Sequence, residues 1–296
     1  MKKISLGLLL VLMLAISGCG LLEAPVDETA DVGGEEVELG YVQWACSEAQ
    51  THIVQEVLQR LDYDVELSVL QAGALFEGVA TGDLDAYTSV WLPITHSDYW
   101  DSIEDDVVNL GSNFEGARIG LVVPDYVEID SIDELADNYE KFDGEIVGID
   151  PGAGIMQATE DDTIPDYELE DWELIESSGP AMTAELASAI EDEEWVVVTG
   201  WNPHWKFAEM DIKYLEDPKG TYGEAENIKS IGREGIEEDL PNVAHVLEEF
   251  KLDDELLGSV MAEVNDGMEP EDAAEEFVDN NLELVNGWLA DDLEIE

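Results

Sequence analysis

Two hydrophobic periods alternate along the first part of the chain. Short, nearly unbroken apolar runs predict strands at 38–43, 65–70 and 86–90. Between them, apolar residues recur every three to four positions and predict helices at 47–61 and 75–81. Strands that alternate with helices in this way are typical of an α/β fold with largely parallel strands.

The same order of elements occurs a second time. Apolar runs predict strands at 145–149, 172–175 and 195–199, and a helix at 181–189. A glycine-rich turn follows the first of these strands and opens a further predicted helix. The repetition predicts two similar lobes.

Both units end in the same short motif just past their third strand. Trp91-Leu92-Pro93 closes the first and Trp201-Asn202-Pro203 the second, and a histidine, His96 or His204, follows each. Because ligands of open α/β sheets bind outside the carboxyl ends of the strands, we expect a cleft with these loops on either wall.

The N-terminus has the features of an export signal. Lys2 and Lys3 precede an apolar run that is too short to span a bilayer and that ends at Cys19. This resembles a bacterial lipobox, so 1–18 is predicted to be a signal peptide, and Cys19 a lipidated residue followed by a flexible tether to 36. Ordinary secretion, with Cys19 incidental, is the alternative. Either reading predicts an extracytoplasmic protein, and the first anchors it to the cell membrane by lipid alone.

The composition is strongly acidic, with 73 Asp and Glu against 11 Lys and Arg and a net charge of −62. A hydrophobic content of 45% still allows a core, so the acids are expected to form a solvated surface. Such self-repulsion is tolerable where salt screens it, which predicts a halophilic source. The lack of basic patches argues against nucleic acid as a partner.

Three of the eight tryptophans lie where the chain leaves a predicted strand: Trp44, Trp91 and Trp201. Converging electron-rich rings suit a quaternary ammonium, a cation that cannot donate hydrogen bonds, at about 0.5–2 kcal/mol per ring. A role in the core is the competing interpretation for these three. It is the expected role of the other five, Trp100, Trp172, Trp195, Trp205 and Trp288.

The turn Gly152-Ala153-Gly154-Ile155 follows a strand and opens a helix, so its backbone N–H groups can face an anion. Gln157 stands where a dinucleotide-binding motif has its third glycine, and the lysine of a phosphate loop is missing. A carboxylate is the guest that fits. A tight turn without a ligand is the alternative.

Four segments together resemble the glycine betaine-binding proteins of ABC importers: 148–156, 198–205, 214–219 and 90–96. The resemblance implies a two-lobed, type II periplasmic-binding-protein fold with a ligand cleft between the lobes and the halves in the circularly permuted order. The expected lobes are 37–122 plus 222–296, and 123–221. We place the hinge near 117–125 and the return near 214–228, with the helices from Pro241 onward packed on the first lobe.

The resemblance also implies roles for individual residues. It predicts a trimethylammonium cage made of Trp44, Trp91 and Trp201. It assigns the ligand's carboxylate to the backbone N–H groups of Gly154 and Ile155.

A histidine side chain is the remaining donor that the resemblance implies. It assigns this role to His96, for which His204 is the competitor. The expected partners are glycine betaine or a similar solute and the permease subunits of an importer, with no cofactor and no metal. Choline or carnitine is the alternative ligand, and an enzyme acting on a small zwitterion is the alternative class.

Overall fold

The sheet of this protein is built in two halves that share one long strand. The computed structural model describes residues 34–296. The predictions for the signal peptide, Cys19 and nearly all of the tether lie outside the described residues.

The first unit forms the predicted alternation of strands and helices, and its boundaries lie within three residues of those predicted. Val37, Leu39 and Val65 are buried between the helices, as the apolar runs require. The elements are β1 (Glu36–Tyr41), α1 (Ala45–Arg60), β2 (Asp64–Val69), α2 (Ala72–Thr81), β3 (Ala86–Leu92), α3 (Ser97–Ile103) and β4 (Val107–Pro124).

The second unit repeats this order with shorter strands. A capping box at Ser131 and Glu134 opens a short 3₁₀ helix. The elements are 3₁₀ turns at Ile132–Glu134 and Ala136–Lys141, β5 (Glu145–Val147), α4 (Gly154–Gln157), a π-helical turn at Ala158–Thr163, α5 (Ile164–Asp166), β6 (Glu173–Ile175), α6 (Gly179–Asp192), β7 (Val198–Asn202), α7 (Lys206–Glu209) and β8 (Ile212–Tyr214).

The predicted strand 195–199 is displaced toward the C-terminus. β7 begins at Val198 because β5 is only three residues long and offers no partner before Val197, whose carbonyl accepts from the Val147 N–H at 2.9 Å. It continues to Asn202 because Arg118 of β4 pairs with that residue. Trp201 therefore lies inside a paired strand.

The expectation of largely parallel strands is wrong for the middle of the sheet. Pairing is parallel within each unit, but β3, β4 and β7 make antiparallel pairs where the units join. The reason is that two long strands, β4 and β9 (Glu226–Arg233), cross between the units and run against each other. The strand order is β2-β1-β3-β9-β4-β7-β5-β6, with β8 beside β4.

β4 carries the chain from one half of the sheet to the other. It pairs with β9 as far as Ala117 and with β7 from Arg118 onward. This change of partner lies inside the predicted hinge segment 117–125. The lobe boundaries at 122/123 and 221/222 stay a prediction.

The C-terminal helices return to the first unit. α11 packs its apolar face, with Ala274, Phe277 and Val278, on α1. Helices end at Asn265 and at Asn280. Between residues 34 and 296, no helix has both the length and the apolar character needed to cross a membrane. The helices are α8 (Ile236–Asp239), α9 (Pro241–Glu249), α10 (Asp254–Asn265), α11 (Pro270–Asn280) and α12 (Leu282–Asn286).

Candidate functional site

A cavity lies where the carboxyl ends of strands from both units approach each other. About 320 Å³ of space at this place is not filled by protein atoms, and part of that space is open to solvent. All six residues that the sequence singled out for the ligand line this one cavity. Its lining is Trp44, Cys46, Trp91, Thr95, His96, Ile119, Ile149, Ala153, Gly154, Ile155 and Trp201.

Three tryptophans supply most of the aromatic wall. Trp44 immediately precedes α1, Trp91 is the penultimate residue of β3, and Trp201 holds the same place in β7. They are 6%, 3% and 4% exposed. Because water is nearly excluded from the rings, a cation against them gains toward the upper end of the cation–π range, about 2 kcal/mol.

The edge of one ring is tied to the opposite unit. The Trp44 Nε1–H donates to the Asp150 carboxylate at 3.2 Å. Asp150 belongs to the turn between β5 and α4, so this bond joins the first unit to the second. Sequence reasoning missed Asp150, although it lies within the segment 148–156 that carries the family resemblance.

His96 is held as a neutral hydrogen-bond donor. Its Nδ1 accepts the Trp91 N–H at 3.0 Å, which leaves the proton of the neutral ring on Nε2. Burial lowers the pKa of His96 to about 3. The ring also stacks on Trp44 with centroids 5.9 Å apart, so its orientation is fixed from two sides.

The competing histidine is directed elsewhere. His204 lines a separate groove, and its Nδ1 accepts the Lys206 N–H at 3.2 Å. Its ring meets Trp201 edge to face at 4.8 Å. Burial and the charge of Lys206 hold the pKa of His204 well below its usual value. Of the two candidates, only His96 lines the cavity.

The glycine-rich turn faces the tryptophans across the cavity. Within residues 34–296, the backbone N–H groups of Gly154 and Ile155 donate to no protein acceptor, so both remain open to a ligand. The Tyr99 hydroxyl donates to the Gly152 carbonyl at 2.8 Å and ties this turn to α3. A Cβ on Gly154 would stand 1.9 Å from the Thr95 carbonyl oxygen, so close approach of the two walls requires glycine there.

A buried carboxylate supports the loop that carries His96. Glu226, at the start of β9 and 4% exposed, accepts the N–H groups of Ile94 and Thr95 at 3.0 and 3.1 Å and the Thr95 hydroxyl. Sequence reasoning missed this residue. Among 73 acidic residues, no local signal distinguishes the one that accepts three hydrogen bonds.

Cys46 is a free, buried thiol at the cavity wall, and burial raises its pKa to about 11. Among the described residues, no group of His, Cys, Asp and Glu is arranged to hold a metal ion. The tryptophans assigned to packing all lie outside the cavity lining: Trp100, Trp172, Trp195, Trp205 and Trp288.

Comparison with known families identifies the fold. The profile of the substrate-binding domain of ABC-type glycine betaine transport systems, OpuAC, matches residues 35–280. The chain belongs to this family. The family prediction and the two-lobed type II α/β fold are both confirmed.

A curated relative of this OpuAC-family chain is similar to about half of it. The glycine betaine/carnitine transport binding protein GbuC of Listeria monocytogenes is 48% identical over 158 residues, which are 53% of this chain and 52% of that protein. The chain thus spans about half the length of this curated relative.

Two solved structures are similar over most of the chain. Lactococcal OpuAC in its closed form with glycine betaine is 36% identical, with a TM-score of 0.83 over 87% of this chain and 100% of that chain. The glycine betaine/L-proline-binding protein ProX of Borrelia burgdorferi is 34% identical, with a TM-score of 0.83 over 86% of this chain and 97% of that chain.

Proposed function

We propose that this protein is an extracytoplasmic binding protein that captures glycine betaine, or a closely related quaternary ammonium solute, and delivers it to an ABC importer. The observation that carries the proposal is the meeting of three nearly dry indole rings and two unoccupied backbone N–H donors in one cavity. The similar lactococcal protein is described as a complex with glycine betaine, which supports the same ligand here.

The cavity offers aromatic faces for the cation of a betaine and hydrogen-bond donors for its carboxylate. The trimethylammonium has no N–H to donate, so the faces of Trp44, Trp91 and Trp201 can stabilise it without a carboxylate partner. The carboxylate needs donors, which the N–H groups of Gly154 and Ile155 and the Nε2–H of His96 supply. Choline lacks the carboxylate and leaves these buried donors unpaired, which is why we favour a betaine over choline.

The cavity is suited to binding rather than to chemistry. No Asp, Glu, Lys or Arg is among its lining residues. A general base needs a pKa near the working pH, but burial holds the pKa of His96 near 3 and that of Cys46 near 11. We therefore propose a transport protein and not an enzyme that acts on a zwitterion.

The cellular setting follows from the N-terminus and the charge. Export through a signal peptide and anchoring by a lipidated Cys19 would place the domain outside the membrane that holds the importer. A net charge of −62 suits a protein that works in concentrated salt. Mass spectrometry of membrane-extracted protein tests the anchor: acylation of Cys19 supports it, and an unmodified Cys19 refutes it.

Titration calorimetry on the soluble domain tests the ligand class. Glycine betaine is expected to bind, and glycine and proline are not, because only a methylated cation fills the cage. Equal affinities for glycine and glycine betaine would refute the proposal. Choline and carnitine in the same series separate the alternative ligands.

Two matched variants test the donor assignment. His96→Ala removes a hydrogen bond to a charged group, so the binding free energy of glycine betaine should become weaker by about 1.5–3 kcal/mol. The affinity for choline should change little. His204→Ala removes a ring outside the cavity and serves as the control. If His204→Ala abolishes glycine betaine binding and His96→Ala does not, the assignment is wrong.

A further inference from the structure

A lysine side chain is buried directly behind one ring of the cage. Lys206, the first residue of α7, is 0% exposed, and its Nζ lies 4.1 Å from the centroid of the Trp201 ring. Trp201 lines the ligand cavity and Lys206 does not. The indole therefore separates the ammonium group from the cavity.

No carboxylate in the described part of the chain forms a hydrogen bond with this ammonium. Within residues 34–296, its Nζ has no hydrogen-bond partner, although the protein is rich in carboxylates. Four other cationic side chains in this part of the chain do form ion pairs, and all four are partly exposed: Arg60, Lys213, Lys219 and Arg233. The positive charge of Lys206 is thus neither paired with an anion nor screened by water.

The titratable groups that face Lys206 leave this charge unbalanced. They are the Cys46 thiol of α1 and the His204 ring of the preceding loop, and the other neighbours are the Trp201 and Phe207 rings. Burial raises the pKa of Cys46 to about 11 and lowers that of Lys206 to about 7. The amine therefore loses its proton before the thiol does, and no ammonium–thiolate pair forms.

We propose that Lys206 is a specificity-determining residue, whose buried charge behind Trp201 disfavours ligands with a net positive charge, of the choline class, relative to zwitterionic betaines. The inference rests on the proposed function, because it requires the ligand's cation to lie on the cavity side of Trp201. Lys206 does not touch the ligand and acts through the intervening ring.

The size of the effect follows from distance. A cation within about 6 Å of the ring on the cavity side lies about 9 Å from the Lys206 Nζ. At an effective dielectric constant of about 20, the repulsion between the two charges lowers the affinity for a cationic ligand about 20-fold. A zwitterion carries its carboxylate within a few ångströms of its cation, and the attraction to Lys206 offsets most of this loss, leaving about a twofold effect. The charged lysine should thus disfavour choline about tenfold more than glycine betaine.

The penalty that Lys206 imposes on a cationic ligand depends on pH. Below pH 7 Lys206 is charged and choline is disfavoured, and above pH 7 the amine is neutral and the penalty disappears. Choline affinity should therefore rise about five- to tenfold between about pH 6 and pH 8.5, and glycine betaine affinity about twofold or less. Neither ligand titrates in this range, so protons released at pH 7 come from the protein.

The experiment is calorimetry of both ligands at these two pH values on the parent chain, Lys206→Met and the control Lys213→Met. Weak choline binding is measured by displacement of glycine betaine. Lys213 is a partly exposed lysine paired with Asp130, so its removal should change neither ligand. Lys206→Met should raise choline affinity at low pH about tenfold and abolish its pH dependence. Methionine keeps the length and the apolar packing of the buried stem.

Proton release gives a second measurement that does not depend on the variant. Binding heats in two buffers of different ionisation enthalpy should show that choline displaces a fraction of a proton from the parent chain at pH 7. An unchanging choline-to-betaine ratio between the two pH values, with no proton release, overturns the proposal even if Lys206→Met fails to fold. If the parent chain does not bind glycine betaine at all, the proposed function itself is wrong.

Discussion

Replacement of Gly154 by alanine gives a sharp test of the site geometry. The added Cβ would stand 1.9 Å from the Thr95 carbonyl oxygen and 2.7 Å from its Cγ2. Both are far inside van der Waals contact, and one of them is backbone, which cannot rotate away. The two walls of the cavity must separate for the methyl group to fit.

The required separation is large on the scale of the site's hydrogen bonds. Moving the Cβ to 3.0 Å from that oxygen needs a shift of about 1.1 Å. A shift of this size stretches the Tyr99–Gly152 bond from 2.8 Å, and the Trp44–Asp150 bond from 3.2 Å, to about 4 Å. A carboxylate placed between the walls would lose at least one charge-assisted bond of about 1.5–3 kcal/mol and part of its cage contact, so we expect glycine betaine affinity to fall about 100-fold.

Calorimetric affinity and thermal melting of the ligand-free chain are the assays. Gly152→Ala is the matched control, since a Cβ there meets only the Tyr99 hydroxyl, at 3.6 Å. Gly154→Ala should bind weakly yet melt no lower than the parent without ligand, because alanine is the better helix former and the lobes of such proteins can part. If Gly154→Ala and Gly152→Ala bind equally well, close approach at Gly154 is not what closes the site.

Three further outcomes are expected. Replacement of Trp44, Trp91 or Trp201 by alanine should in each case weaken glycine betaine binding about 5- to 30-fold, or about 1–2 kcal/mol. Trp288→Ala should lower only the melting temperature. A cage variant that binds glycine betaine as well as the parent would show that its ring is not part of the cage. Glu226→Gln replaces an acceptor of three bonds by a weaker, neutral one, so the free energy of unfolding should fall by about 1–3 kcal/mol; an unchanged urea midpoint would contradict the support assigned to this carboxylate. Thermal melts should shift upward from about 50 mM to about 2 M potassium chloride as acidic repulsion is screened, and a flat profile would refute that account.

The parts of the fold that sequence predicts here are those set by local patterns. The units around β1–β3 and β5–β7 follow from apolar runs and helical periods. Trp91 and Trp201 occupy equivalent places because each lies at the end of the third strand of its unit, in the same Trp-x-Pro motif. The antiparallel pairing of β4 with β9 and β7 did not follow from these patterns, because the sequence of a strand does not show which strand it will pair with.

Long-range polar contacts limited the prediction of the site. The bonds from Trp44 to Asp150 and from Thr95 to Glu226 join residues 106 and 131 positions apart. In so acidic a chain, neither carboxylate differs from its neighbours by composition or period. Lys206 was equally hidden, since a lysine after Trp205 gives no sign that its Nζ will be buried against Trp201.

Salt should affect the surface charges of this protein more strongly than the groups that line the cavity. The acidic surface consists of exposed charges, whose interactions decay within about 3 Å in 1 M salt, so concentrated salt relieves their repulsion. The contacts proposed for the ligand are made in a cavity whose three indole rings are at most 6% exposed and whose lining includes no carboxylate to attract salt cations. Salt should therefore stabilise the fold without competing for the site. A net-neutral zwitterion adds to this separation, because it approaches a strongly negative surface with little attraction or repulsion for salt to screen.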